Sequence, residues 1–199
     1  MLSAGLFAPH MSEPVKNILL FGLAGSTKSS YINSCFTALG EHVVHNIAAS
    51  GGHADYVTTE YRPYRLIGGS DGQAQSMVRL WDTWGLAYDN YKAVIFKSML
   101  HGHVKSGTQM GAKLFNDFDF APADKNVEAR RIHAVIFFIP AAELDTNNSP
   151  MLQTTKKFVN IALENSTSLA RVRYCADGLQ ELHQSLFSLR WILSTRDSE

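Results

Sequence analysis

The chain has 199 residues, 45% of them hydrophobic and 18% charged, enough for one domain with a full core. Its 18 basic and 18 acidic residues cancel, so nothing global argues for a nucleic-acid or anionic-membrane surface. Two cysteines, Cys35 and Cys175, supply neither a disulfide framework nor zinc spacing and read as reduced, buried thiols. Residues 1–11 lack the basic start of a signal peptide, and no run approaches the ~20 apolar residues of a spanning helix. Residues 1–14 therefore read as a flexible leader, 15–199 as a single domain, and the expected location is cytoplasmic.

Taken in order, residues 15–21 form a buried strand of Val, Ile, Leu and Phe, and a helix over 28–39 follows, with Ile32, Cys35, Phe36 and Leu39 at helical spacing. A loop over 46–55 carries paired glycines. Residues 58–67 and 75–81 read as two strands of a hairpin, joined by the turn Gly68-Gly69-Ser70-Asp71-Gly72. A helix is expected over 88–100 and a long polar connection over 102–131. Residues 132–139 give the strongest strand signal. A helix over 150–164, a short strand over 169–175 and a helix over 178–193 complete the chain. This alternation predicts a three-layer α/β fold with a mostly parallel central sheet and one antiparallel hairpin strand.

Chemistry concentrates where the first strand ends. Gly22-Leu23-Ala24-Gly25-Ser26-Thr27-Lys28-Ser29 approaches the phosphate-loop pattern G-x-x-x-x-G-K-[ST]. In that pattern the helix N-terminus and loop N–H groups cradle phosphate, the lysine reaches the outer phosphates, and the hydroxyl residue ligates magnesium. Gly22, Gly25, Ser26, Thr27, Lys28, Ser29 and Ser30 are the candidate nucleotide-binding residues here. Thr27 replaces the last glycine, and a Cβ at that point brings bulk and restricts the backbone. Strain there of ~1–3 kcal/mol would cost roughly 5–150-fold in affinity.

A second half of the site lies at the end of the 75–81 strand, in Asp82-Thr83-Trp84-Gly85. Ligands of open α/β sheets bind beyond strand carboxyl ends, where an aspartate can hold magnesium through water and a glycine N–H can meet a γ-phosphate. Asp82 and Gly85 take those roles here. The metal shell wants one more hydroxyl, and Thr58 and Thr59 are both candidates; with Ser29 and Asp82 they make the expected metal set. Leu86 follows Gly85 where some GTPases place a water-orienting glutamine, so hydrolysis is expected to be slow or absent.

The run from Asn17 to Ser34, NILLFGLAGSTKSSYINS, resembles the GTPase domain of the interferon-induced protein 44 family, whose loop reads G-x-x-G-x-G-K-S-S and continues into F-x-N-S. Gly22, Gly25, Lys28, Ser29, Ser30, Asn33 and Ser34 match it. Tyr61-Arg62-Pro63-Tyr64 resembles the family's Y-R-x-Y, and Leu80 to Leu86 its L-x-D-T-x-G-L. Leu100-His101-Gly102 stands where an L-x-G connection is expected, and Arg131-Ile132-His133-Ala134-Val135 resembles its R-I-H-x-V strand. The likeness spans about residues 15–145.

It implies a P-loop, small-GTPase-like fold, GTP and Mg2+ as ligands, at most a slow GTPase, and a link to the immune response. Two departures stand out: Thr27 in the loop, and the absence of [N/T]-K-x-D, whose aspartate selects guanine. Thr155-Lys156-Lys157-Phe158 begins like that motif but lacks the aspartate. Beyond about residue 145 the chain is short for the fold, and the strand bearing that motif is expected to be missing.

The expected function is a magnesium-dependent GTP-binding protein with weak or absent hydrolysis. The alternatives are a pseudo-GTPase scaffold without nucleotide and an ATP-binding P-loop protein. Expected partners are a guanine nucleotide and, across the nucleotide face, another protein or a second copy of the chain, with no nucleic acid and no membrane span. His101, His103 and His133 lack the company of a transition-metal site and read as surface or packed side chains. Of Trp81 and Trp84, one is expected in the core and the other against the nucleotide loop.

Overall fold

The first strand, β1 (Lys16–Gly22), is apolar on both faces, which commits it to the middle of a sheet covered on both sides. In a computed structural model, which describes residues 15–39, 47–48, 58–66, 78–85, 92–110, 125–140, 149–165 and 171–175, it takes that place. It pairs in parallel with β3 (Val78–Asp82) on one side and β5 (Ala134–Pro140) on the other. Beyond β3 lies antiparallel β2 (Glu60–Leu66), and beyond β5 lies parallel β6 (Arg171–Cys175). A two-residue edge strand, β4 (Thr108–Gln109), pairs antiparallel with β2 and completes the order β4-β2-β3-β1-β5-β6.

Strand alternation splits the core into two layers. Ile18, Leu20, Leu80, Ile136 and Phe138 face α1 (Lys28–Leu39) and pack with its Tyr31, Ile32 and Cys35. Leu19, Phe21, Val135 and Phe137 face the other way. They meet Ile95, Phe96 and Met99 of α2 (Ala93–Leu100), and Phe158 and Ile161 of a later helix, α4 (Pro150–Asn165). The Phe21 ring lies 4.6 Å from Phe96 and 5.1 Å from Phe158, in the tilted contacts aromatic rings prefer. A short helix, α3 (Val127–Arg130), precedes β5. The three-layer α/β expectation holds.

The differences have local causes. α2 begins at Ala93 because Lys92 is extended (φ −91°, ψ 141°), five residues later than expected. The stretch read as one polar connection over 102–131 contains β4 and α3. Gly102 and Gly107, with φ of 76° and 87°, turn the chain sharply, while Val104 and Met110 are buried on the core, so a second antiparallel strand joins the sheet edge. Beyond β5 lies the short strand expected over 169–175: β6 aligns Arg171 with Ile136, and Cys175 is succeeded by Ala176-Asp177-Gly178 rather than by a guanine-reading motif. Trp84 joins Trp81 in the core instead of lining the loop. The leader, the glycines at 51 and 52, the 68–72 turn, Leu86 and the helix over 178–193 lie outside the described residues.

One polar knot pins the end of the sheet opposite the phosphate loop. The buried Asn17 amide donates to the carbonyls of Ala129 (3.0 Å) and Arg131 (2.9 Å) and accepts from Trp81 Nε1 (3.0 Å). Its backbone N–H donates to His133 Nδ1 at 2.9 Å, so His133 is a packed side chain as expected. Asn17→Ala strands one buried donor and two acceptors, so a stability loss of about 3 kcal/mol or more is expected. Urea unfolding of the two proteins measures it, and a loss under ~1 kcal/mol contradicts this role for the knot.

Candidate functional site

Strand β1 ends at Gly22, and the chain turns through the loop into α1. Gly25 (φ 72°) and Thr27 (φ 63°) both hold left-handed backbone. Glycine enters that region freely, whereas a β-branched residue there is strained by ~1–3 kcal/mol. The restriction expected at Thr27 is therefore present in the backbone itself. Its carbonyl accepts from Tyr31 N at 2.9 Å, the first hydrogen bond of α1, so the helix holds the strained residue in place. Ser26 is buried and donates its hydroxyl to Leu23 O at 2.7 Å, bracing the loop from within; Ala24, Gly25, Thr27 and Ser30 are exposed.

Lys28 is buried and folds back on the loop. Its Nζ donates to Leu23 O (2.8 Å), Gly22 O (3.3 Å) and Ser26 Oγ (3.5 Å). Burial pushes its pKa down to about 8, while the carboxylate of Asp82 works in the opposite direction. These partners are carbonyl and hydroxyl dipoles, weaker for an ammonium than a full anion would be.

Three residues from three segments meet at one carboxylate oxygen. Ser29 Oγ donates to Asp82 Oδ2 at 2.9 Å and Thr58 Oγ1 donates to the same atom at 3.1 Å. The two hydroxyl oxygens stand 3.2 Å apart. Either hydroxyl could donate along that third edge, so the three oxygens form a closed hydrogen-bonded triangle. The other carboxylate oxygen, Oδ1, accepts from Thr83 N at 3.0 Å. Burial raises the Asp82 pKa, and Lys28 with the Ser29, Thr58 and Thr83 hydrogen bonds pulls it back. The Thr58 alternative is the one that joins this cluster. Thr59 is exposed, and its carbonyl is taken by Met110 N at 2.7 Å.

Gly85 closes the arrangement. A Cβ there would lie 2.3 Å from Ala24 Cα, so the strand-end segment and the loop touch backbone to backbone and only glycine fits. Two contributions escaped the sequence reading. Thr83, noted only as part of the D-T-x-G run, donates its buried hydroxyl to Leu20 O at 2.8 Å and ties the ends of β1 and β3 together. Asn33 clamps residue 48 through both ends of its amide, accepting from Ala48 N (2.9 Å) and donating to Ala48 O (3.0 Å). Its place on the helix was visible, its distant partner was not. Elsewhere, the His101 and His103 rings are 6.2 Å apart, and no cluster of His, Cys, Asp and Glu suited to a metal occurs among the described residues.

Strand order, the parallel centre and the loop between β1 and α1 define an α/β fold of the small-GTPase type. No protein-family model matches the chain. It is 30% identical to human interferon-induced protein 44 over 148 residues, covering 70% of this chain and 32% of that protein. It is 28% identical to human interferon-induced protein 44-like over 178 residues, covering 82% of this chain and 38% of that protein. The chimpanzee interferon-induced protein 44 matches at 29% over 147 residues. The chain is thus distantly homologous to interferon-induced protein 44 and 44-like proteins, and it spans about a third of their length. Among solved structures, one chain of the signal recognition particle receptor SRb-GTP/SRX complex from Chaetomium thermophilum aligns at a TM-score of 0.46 and 14% identity, over 90% of this chain and 82% of that one. Among the described residues no helix is long and apolar enough to cross a membrane.

The buried lysine sets a pH signature. An unfolded lysine titrates near 10.5 and Lys28 in the fold near 8, so between these values the unfolded chain binds more protons and stability rises with pH. The rise is expected to reach at most about 3 kcal/mol and to vanish in Lys28→Met. Cys35, whose thiol burial pushes up to about 11, acts in the opposite direction in both proteins and cancels in the comparison. Denaturant midpoints from pH 7.5 to 10.5 provide the measurement.

Proposed function

We propose that this chain binds a nucleoside triphosphate with magnesium at the loop between β1 and α1, and hydrolyses it slowly or not at all. The observation that carries the reading is the oxygen triangle of Ser29, Thr58 and Asp82. The two hydroxyl oxygens stand 3.2 Å apart, near the ~2.9 Å between neighbouring oxygens of a magnesium octahedron with ~2.05 Å bonds, and Asp82 Oδ2, 2.9 and 3.1 Å from them, is placed to hold a metal-bound water beside them. Its hydroxyl and carboxylate donors suit that hard cation. A cation would take over the hydroxyl oxygens that now bond to one another and to Asp82. A ligand phosphate would likewise replace the carbonyls that now hold the Lys28 ammonium.

In this reading Lys28 meets the β- and γ-phosphates, Ser29 and Thr58 ligate the metal, Asp82 holds it through water, and Gly85 N–H faces the third phosphate. Gly22, Gly25, Ser26, Thr27 and Ser30 form the rest of the cradle. GTP is the nucleotide that the family resemblance implies. The lack of [N/T]-K-x-D makes ATP the necessary comparison, and Leu86 in place of a water-orienting residue argues for weak turnover. The strained Thr27 backbone favours one second reading, a scaffold that has lost nucleotide binding.

Titration with fluorescent GTP and ATP analogues, with and without magnesium, separates these readings. Magnesium-dependent binding of GTP is expected, and binding by neither nucleotide at high micromolar concentration leaves the scaffold. Thr27→Gly is expected to tighten binding by about tenfold by removing the Cβ bulk beside the phosphate, and, because the left-handed backbone already belongs to the fold, to raise stability by ~1 kcal/mol as well. Asp82→Asn is expected to remove the magnesium dependence.

A further inference from the structure

We infer that the segment carrying Thr58 is a fixed part of the sheet, so that the site offers its Thr58 hydroxyl equally to a magnesium nucleoside diphosphate and a magnesium nucleoside triphosphate. The inference rests on the proposed nucleotide site and adds that its Thr58 side does not distinguish the two ligands. In GTPases that act as switches, the loop bearing the corresponding hydroxyl is ordered by the γ-phosphate and released when it is lost. Such a loop has few ties of its own.

Here the segment is held at nearly every residue by the chain itself. Thr58 is bound to Asp82 and lies against Ser29. Thr59 O accepts from Met110 N at 2.7 Å and Tyr61 O accepts from Gly107 N at 2.9 Å. Glu60 and Tyr61 stand in register with Gln109 and Thr108 of β4. Tyr61 is also buried and stacked on Trp81, with ring centroids 4.7 Å apart.

The turn that supplies these backbone donors is itself anchored. Val104 and Met110 are 1% and 4% exposed and belong to the core shared with α2 and α4. Between them, Thr108 caps the turn by donating its hydroxyl to Lys105 O at 2.7 Å. Gly107, at φ 87°, lets the chain reverse close to Glu60, whose carboxylate would lie 3.3 Å from an added Cβ. The 104–110 turn therefore acts as a clasp on the backbone of residues 59–61. The conformational entropy of placing Thr58 is spent during folding, not at binding, and a third phosphate has no ordering left to cause.

Amide hydrogen exchange tests this directly. In the nucleotide-free chain the amides of Gly107 and Met110 and those of residues 60–62 are expected to exchange at rates set by opening of the sheet, and to change by less than about twofold when magnesium GDP or magnesium GTP is added. Rapid exchange in the free chain, slowed tenfold or more by the triphosphate alone, overturns the inference. Thr58→Ala is expected to weaken magnesium GDP and magnesium GTP binding by the same factor, about 5–10-fold. A loss confined to GTP also overturns it. If neither nucleotide binds, the functional reading fails, while the free chain's exchange still decides whether the segment is fixed.

Discussion

The structure depends on the two-sided burial of β1. Its alternating side chains feed separate cores, Ile18 and Leu20 toward α1, Leu19 and Phe21 toward α2 and α4. A strand that buries both faces must be flanked on both edges, and parallel β3 and β5 supply those neighbours. Parallel pairing then puts the carboxyl ends of β1 and β3 on one side of the sheet. Lys28, just past one end, and Asp82, at the other, are brought within electrostatic reach by hydrophobic packing. The polar site is a product of the apolar core.

That site carries a cost which the fold absorbs. A lysine and an aspartate are both removed from water, and burial acts on each before its partners compensate. The lysine is held by carbonyl oxygens, the aspartate by hydroxyls, and Thr27 adds backbone strain beside them. Clusters of this kind, stabilised from outside rather than by themselves, are characteristic of places where a ligand completes the set.

The apolar strands and α1 were readable because their signals are local and strong: runs of branched residues for β1 and β5, a helical stripe through Ile32 and Cys35 for α1. The candidate site was readable for the same reason, since Lys28, Ser29 and Asp82 belong to short motifs attached to those strands. Thr58 and Thr59 could not be separated, because the difference between them lies in a hydrogen bond with Met110, about fifty residues away. Residues 102–110 were opaque because their order rests on two positive-φ glycines and the buried Val104 and Met110 in an otherwise polar run, with no periodicity to reveal them. The knot around Asn17 was likewise invisible, as an isolated asparagine in an apolar strand has no local signature.

The contact between Gly85 and Ala24 has a mechanical consequence. With no side chain between them, the two backbones form a bearing without a cushion, and a displacement of the loop by a few tenths of an ångström cannot be taken up by a rotamer. It has to be passed on to the chain that leaves β3. If the Thr58 side of the site is clasped and the Gly85 side is in rigid contact, the molecule is built asymmetrically, one wall fixed to the sheet and the other geared to the loop.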